Sequence, residues 1–332
     1  MSAYWLALMG AAAHADWTNG SLGFVGSDEA LGWTIPGPET WGPVAGRCVI
    51  SELKWDYAAV GLRARLDWLS DRERWFLRML AQGGWIVDGT ACDRDWAGPN
   101  RSLEVSHTYS DVSGWSGQAR ALVGYTWSWD RFAIAPVVGV EAHRAYLKEY
   151  GLLTLFQADF TEIQPECCEE TGIVLNLNGQ MQVCPVAWWA NERSQLISTY
   201  GADWYGPLMG LALWAYPAWR WDITESPMSW ELTAWIGLEQ WHADADWCLR
   251  PEFAHPLSFT HYSLGTVFGF EDTLRFQLTD SWSLILESGG QFAAFPDGCE
   301  DLYYADGDHY KLWVDDTHWK QWWGSIGASY TF

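Results

Sequence analysis

A chain of 332 residues with 49% hydrophobic and only 18% charged residues can bury a substantial core, which excludes a disordered tail. Asp and Glu total 42 against 19 Lys and Arg, a net charge of -23, so the basic footprint of a nucleic-acid binder is missing and nucleic acid is excluded as a partner. No apolar run reaches the roughly 18 residues of a spanning helix, whereas 27 tryptophans, 14 tyrosines and 32 glycines among short apolar stretches suit an all-β protein. Such a protein is a soluble sandwich, a propeller, or a barrel with an aromatic girdle.

In chain order, residues 1–15 form an apolar stretch ending Ala13-His14-Ala15, which reads as a secretory signal with its cleavage site before Asp16. The usual basic segment before it is absent, so a buried N-terminal strand or helix, or a start further upstream, stays open as the alternative. Period-two alternation dominates the remainder, residues 16–332. From Trp115, one face carries Trp115, Gly117, Ala119, Ala121, Val123, Tyr125 and Trp127, and the other Ser116, Gln118, Arg120, Leu122, Gly124, Thr126 and Ser128. The closing strand repeats this, with Trp322, Gly324, Ile326, Ala328, Tyr330 and Phe332 set against Trp323, Ser325, Gly327, Ser329 and Thr331. A membrane barrel turns its apolar face to lipid and its polar face to the lumen. Short turns at Ser70-Asp71-Arg72, Trp129-Asp130-Arg131 and Thr279-Asp280-Ser281 alternate with expected long loops at 34–47, 91–110, 150–192, 244–260 and 297–317. The expectation is a single antiparallel transmembrane β-barrel of about ten strands, in the bacterial outer membrane, with lipid as its surroundings. Gln118, Arg120 and Glu287 would fill so narrow a lumen, which disfavours a diffusion pore.

The seven cysteines, Cys48, Cys92, Cys167, Cys168, Cys184, Cys248 and Cys299, include no C-x-x-C pair, so no metal site is expected. In an exported chain they suit loop disulfides, with at least one thiol left over.

Several segments, in order, carry a resemblance: Ser21-Leu22-Gly23 with Gly26 and Glu29, Ile50-Ser51-Glu52-Leu53-Lys54-Trp55-Asp56-Tyr57, Asp93-Arg94-Asp95-Trp96, Ser106-His107, Asn191-Glu192-Arg193 and Gly206-Pro207-Leu208-Met209-Gly210-Leu211. Together with the Tyr330-Thr331-Phe332 ending, the chain resembles the omptin family of ten-stranded outer-membrane endopeptidases. The resemblance implies an active groove at the extracellular mouth, where an Asp pair and an Asp-x-His pair hold the attacking water. Asp93 and Asp95 match the first pair and Asp246 matches the second aspartate. Glu29 and Asp244 match acids that recognise a basic side chain of the substrate. Cationic peptides or proteins are the implied partners of a monomeric enzyme. No cofactor is implied beyond lipopolysaccharide as an activating lipid, through Arg144 and Arg193.

The sequence departs from the family at the histidine, where it has Cys248. A thiol beside a carboxylate ionises less readily, so Cys248 is a poor base, and as a nucleophile it needs a histidine. His242 is the candidate substitute base, with His107, His255 and His261 in neighbouring loops. Cys248 also suits half of a disulfide with Cys92 or Cys299. Alternation from Leu232, Ile236 and Leu238 carries Asp244 and Asp246 to the outer side, so a β-bulge or twist is expected between them and the membrane. The alternative to a protease is a catalytically impaired barrel of the same fold with an adhesive, structural or envelope role.

Overall fold

The computed structural model describes residues 17–36, 49–70, 74–97, 103–129, 132–157, 188–189, 193–215 and 228–332; the expected signal segment lies outside them. The strands are β1 (Trp17–Pro36), β2 (Val49–Leu69), β3 (Trp75–Ala97), β4 (Leu103–Tyr125), β5 (Trp127–Trp129), β6 (Phe132–Gln157), β7 (Trp188–Trp189), β8 (Leu196–Ala215), β9 (Met228–Asp246), β10 (Phe259–Gln277), β11 (Trp282–Phe295), β12 (Gly298–Tyr303) and β13 (His309–Thr331). Ten of them are long, and these pair antiparallel in the order β1-β2-β3-β4-β6-β8-β9-β10-β11-β13. β13 then pairs with β1 from Asn19↔Thr331 to Thr34↔Asp315, which closes the sheet. The remaining three are appendages: β5 and β7 pair with β6, and β12 prolongs the line of β11 between β10 and β13. Closure leaves none of the ten long strands among the described residues at a free sheet edge, a condition that hydrocarbon surroundings impose on any sheet.

The alternation in β4 and β13 has the sense expected. Trp115, Val123, Tyr125, Trp322 and Ile326 are exposed on the outside, while Ser116, Gln118, Arg120, Trp323 and Ser329 are buried within. Phe24, Val60, Leu62, Val138, Val140, Met209, Leu211, Ile236, Leu238, Leu264 and Phe268 complete an exposed apolar belt. At its turn end the belt meets an aromatic girdle, with ring contacts Trp75–Tyr125, Tyr125–Trp127, Trp282–Tyr330 and Tyr330–Phe332 at 5.0–5.7 Å. Both ends of the barrel sheet lie there too, since Phe332 N donates to Thr18 O.

The lumen has two layers. In the half nearer the turns, Arg63, Arg65, Arg78 and Arg120 interlock with Asp67, Glu231, Glu271 and Glu287. Arg65 alone reaches Asp67 Oδ2 at 2.7 Å, Glu231 Oε2 at 2.5 Å and Thr273 Oγ1 at 3.1 Å. These arginines and acids are thus held in ion pairs inside the span, the condition on which buried charge is tolerated. Nearer the loops, the filling turns aromatic. Trp33, Trp55, Trp204, Trp241, Trp319, Tyr200, Phe259 and Phe295 are each under 2% exposed and form one floor across the barrel. Its contacts include Trp55 stacked on Tyr200 at 4.5 Å and Trp204 stacked on Trp241 at 4.9 Å.

This floor explains a departure from the expected loops. Stretches 91–110 and 297–317 are mostly strand, because β3, β4, β12 and β13 continue beyond the belt. Their inward Ala91, Val112, Leu302 and Val314 join the aromatic cluster, and that burial holds Gly- and Asp-bearing segments in the ladder.

Arg65→Ala leaves Asp67 and Glu231 short of a cation in a buried layer, so a loss of about 3–5 kcal/mol is expected. Denaturant unfolding of the barrel in micelles measures it, and a loss below about 1 kcal/mol would contradict the charge-matched lumen.

Candidate functional site

The acid pair owes its position to one inserted residue. Along β3, Arg78, Leu80, Gln82 and Ile86 are buried in the lumen, so unbroken alternation would send Asp93 and Asp95 outward. β2 pairs Ala59 with Ile86 but Ala58 with Asp88, so Val87 is extra and the strand changes face. Ala91 is accordingly buried and Asp93 and Asp95 follow it inward, opposite Leu53 and Ser51 of β2. Burial raises the Asp93 carboxyl well above the usual carboxylate range, reinforced by the charges of Asp95 and Glu149. Burial raises Asp95 as well, against a hydrogen bond from Ser51. In both cases the positive charge of Arg250, which belongs to the connection between β9 and β10, also opposes the rise.

That connection carries the second half of the site. β9 ends at Asp246, and Asp246 Oδ1 accepts from His255 Nδ1 at 2.5 Å. Ser258 braces the turn: its N donates to Ala245 O at 2.7 Å and its Oγ accepts from Trp247 N at 2.9 Å. A neutral imidazole that donates from Nδ1 keeps its lone pair on Nε2, the state a general base requires. The ring is partly exposed, with 39% of its side chain accessible. Arg250 is held by Glu252 and by the faces of Trp247 and Phe253, at 5.5 and 4.9 Å from the ring centroids. Trp247 and Phe253 rest on the aromatic floor, so the loop is anchored to the rigid interior.

Cys248 lies beside the same aspartate. Its Sγ lies 3.8 Å from the Asp246 backbone oxygen, and burial together with the Asp246 charge pushes the thiol upward, as expected of a poor base. Cys92, Cys248 and Cys299 are all free thiols, so Cys248 forms a disulfide with neither of the other two. Cys48, Cys167, Cys168 and Cys184 lie outside the described residues.

Other sequence candidates have different surroundings. β9 keeps an unbroken register with β10 to Ala245, so the expected bulge is absent there; His242 and Asp244 share the outer face, 3.4 Å apart, and Asp246, paired with Thr199, ends the strand on the same outward register. Glu29 is buried deep in the lumen, where it accepts from Tyr57, Ser116 and Gln321. His261 is also buried, between Tyr200 and Glu300. His107 meets Cys92 at 3.5 Å, beside Tyr109. Arg144 faces outward and pairs with Asp203 at 3.5 Å, and the exposed Arg193 meets Asp111 at 3.0 Å. At the loop end of the barrel the structure thus places Asp93 and Asp95 on the inward face of β3 and, at and beyond the end of β9, Asp246 with His255, one of the candidate histidines, and Arg250, whose place no spacing in the sequence signals. Of a different kind is the buried group Glu141, His143 and Glu239 inside the lumen, the one cluster among the described residues whose donor atoms come within reach of a single metal ion.

The fold has a solved counterpart. The outer membrane protease OmpT from Escherichia coli superposes with a TM-score of 0.66 over 96% of this chain and 98% of its own, at 13% identity, a likeness of fold. OprG, an outer membrane protein from Pseudomonas aeruginosa, covers 96% of each chain at 10% identity, with a TM-score of 0.33. No curated protein matches the chain. The sequence profile described as Pom, Protochlamydia outer membrane protein, matches residues 30–332, almost the whole barrel. This outer-membrane β-barrel belongs to the Protochlamydia outer membrane protein family.

Proposed function

We propose that the barrel is a cell-surface endopeptidase of the omptin type in which His255, not Cys248, is the base. The observation that carries this reading is the 2.5 Å pairing of Asp246 with His255 in the same connection that brings Arg250 to the acid pair Asp93/Asp95. An aspartate that fixes the Nδ1 proton leaves Nε2 to take a proton from water, and it stabilises the imidazolium that forms. Asp93 and Asp95 face the lumen axis from the other wall, with their affinity for protons raised, so one of them can share a proton with the attacked carbonyl. In this orientation the long loops face the cell exterior. The acidic mouth selects cationic peptides, and Arg250 occupies the position of a substrate's basic side chain until one displaces it. The outward Asp244 adds negative potential at the rim, and Arg144 and Arg193 offer their charges to lipopolysaccharide phosphate on the outer wall.

A second reading, a barrel with an adhesive or envelope role and no proteolysis, draws on the same Arg250. A built-in cation beside the acid pair neutralises it and ties the loop down.

A peptide containing paired basic residues, supplied to the folded barrel, separates the two. Under the first reading His255→Ala lowers kcat/KM by about 10²–10⁴, Cys248→Ser leaves it within a factor of about three, and Arg250→Ala raises it. Cleavage that survives His255→Ala refutes the assignment of the base. No cleavage by the wild type or by Arg250→Ala establishes the second reading.

The acid pair also predicts a pH signature in stability. Because the folded-state affinity of Asp93 for protons is raised, its charged form opposes folding above that raised value, and protonation returns the stability as pH falls. Asp93→Asn is therefore expected to raise Tm at pH 8, with the gain shrinking to nothing as the pH approaches the ordinary carboxylate value of about 4. A lower Tm for the variant at pH 8 would contradict the burial of a charged pair at the mouth.

A further inference from the structure

Beneath the aromatic floor, the lumen holds a group of polar side chains that form no ion pair with the arginines, although the charge of Arg120 reaches Glu141 and Gln118 Nε2 donates to Glu141 Oε1 at 2.8 Å. Glu141 and His143 project inward from β6, Glu239 from β9 and Gln291 from β11, and none is more than 5% exposed. One ligand atom from each of Glu141, His143 and Glu239 lies within 4.8 Å of the others. The fold makes this approach possible at Gly206 of β8, which pairs with Glu141 while its neighbour Tyr205 pairs with Gln240. A Cβ at Gly206 would collide with the Leu238 carbonyl oxygen, so the glycine lets β9 approach β8 closely there and brings Glu239 toward Glu141.

The cluster is electrically incomplete. His143 Nε2 lies 3.2 Å from Glu141 Oε1, and Gln291 Nε2 donates to Glu141 Oε2 at 3.0 Å. Both oxygens of Glu239 and the Oε1 of Gln291, all buried, have no hydrogen-bond partner. Among the described residues no arginine or lysine forms an ion pair with Glu239. A buried carboxylate without a partner beside a second carboxylate is costly, and a few residues away the same lumen holds acids in ion pairs with arginines. The imidazole, meanwhile, is held rigidly, stacked on Trp204 at 5.0 Å and edge-on to Trp319 at 4.9 Å.

We propose that Glu141, His143 and Glu239 form a binding site for one divalent transition-metal cation, with the Gln291 amide oxygen as fourth ligand. Two carboxylates and one imidazole are a donor set for Zn²⁺ or Mn²⁺, each ligand at about 2.0–2.2 Å from zinc. The cation neutralises both carboxylates. Rotation of the Gln291 amide exchanges its NH2 for Oε1 toward Glu141 and His143, so that the unpartnered oxygen faces the metal. Trp204 and Trp319 fix the ring plane in place of the usual hydrogen-bonded support. Ligands from β6, β9 and β11 then tie three separate strands together beneath the floor, and the cation enters as the barrel folds.

The test uses the full barrel, unfolded in chelator and refolded with Zn²⁺ or, separately, Mn²⁺, then desalted. Elemental analysis is expected to find about one equivalent of at least one of these ions per folded chain, with a higher Tm than the metal-free barrel. Glu239→Gln and His143→Ala should retain less than about a tenth of that amount, and His255→Ala, at the mouth, should retain all of it. Folded wild type that retains neither ion, or Glu239→Gln that retains as much as wild type, overturns the site. X-ray absorption on the loaded wild type does not depend on any variant folding. A shell of one imidazole nitrogen with oxygens supports the site, whereas sulfur or two or more imidazoles places the ion elsewhere and refutes it.

Discussion

The pairing of β1 with β13 is the constraint on which the molecule depends. A closed sheet in hydrocarbon must satisfy every backbone group internally, and closing it creates an inside whose volume must also be filled. With ten long strands the inside is too narrow for a water channel and is packed with side chains instead. The filling follows from what each layer borders. Inside the belt, charge is tolerable only when matched, hence four arginines against four acids. Above it, where strands leave the lipid, an aromatic floor replaces the ion pairs and becomes the platform on which the mouth is built.

Rigidity at the mouth derives from that platform. Trp247 and Phe253 connect the β9–β10 connection to the floor through Phe259, so Asp246, Arg250 and His255 are held by packing as well as by hydrogen bonds. The acid pair is fixed differently, by the ladder between β2 and β3. Two walls set by independent means can keep a constant separation while the longer connections vary, which is how a scaffold supports loop-borne chemistry.

The fold is legible in the sequence because period two survives translation into structure. Phe332 and the alternating residues before it mark a barrel strand, and Trp115 to Trp127 assign the lipid side correctly. The site is less legible. Alternation reports that two faces differ without saying which is inside once the lipid ends, so the apolar inward faces of Trp33, Trp55 and Trp241 are indistinguishable from lipid-facing runs. A change of face costs a single residue. Val87 provides it on β3, whereas the alternation of the sequence predicts a bulge on β9, where the register with β10 is unbroken. Glu29 fits a motif and is nonetheless sealed in the lumen, and the partner of Asp246 is nine residues away instead of two. Cysteine spacing bears on none of this, because Glu141 and Glu239 meet only through the register of β6, β8 and β9.

The length of the strands beyond the belt has a consequence for reach. From Trp85, still on the exposed belt, β3 runs a further 12 residues to Ala97. At about 3.3 Å per residue and a tilt of about 40°, that amounts to a standoff of about 30 Å. The barrel is therefore a mast as well as an anchor. Its mouth stands clear of the headgroup layer, open to bodies too bulky to approach the lipid itself. Shortening paired strands, without touching any residue of the mouth, would change which visitors it can meet.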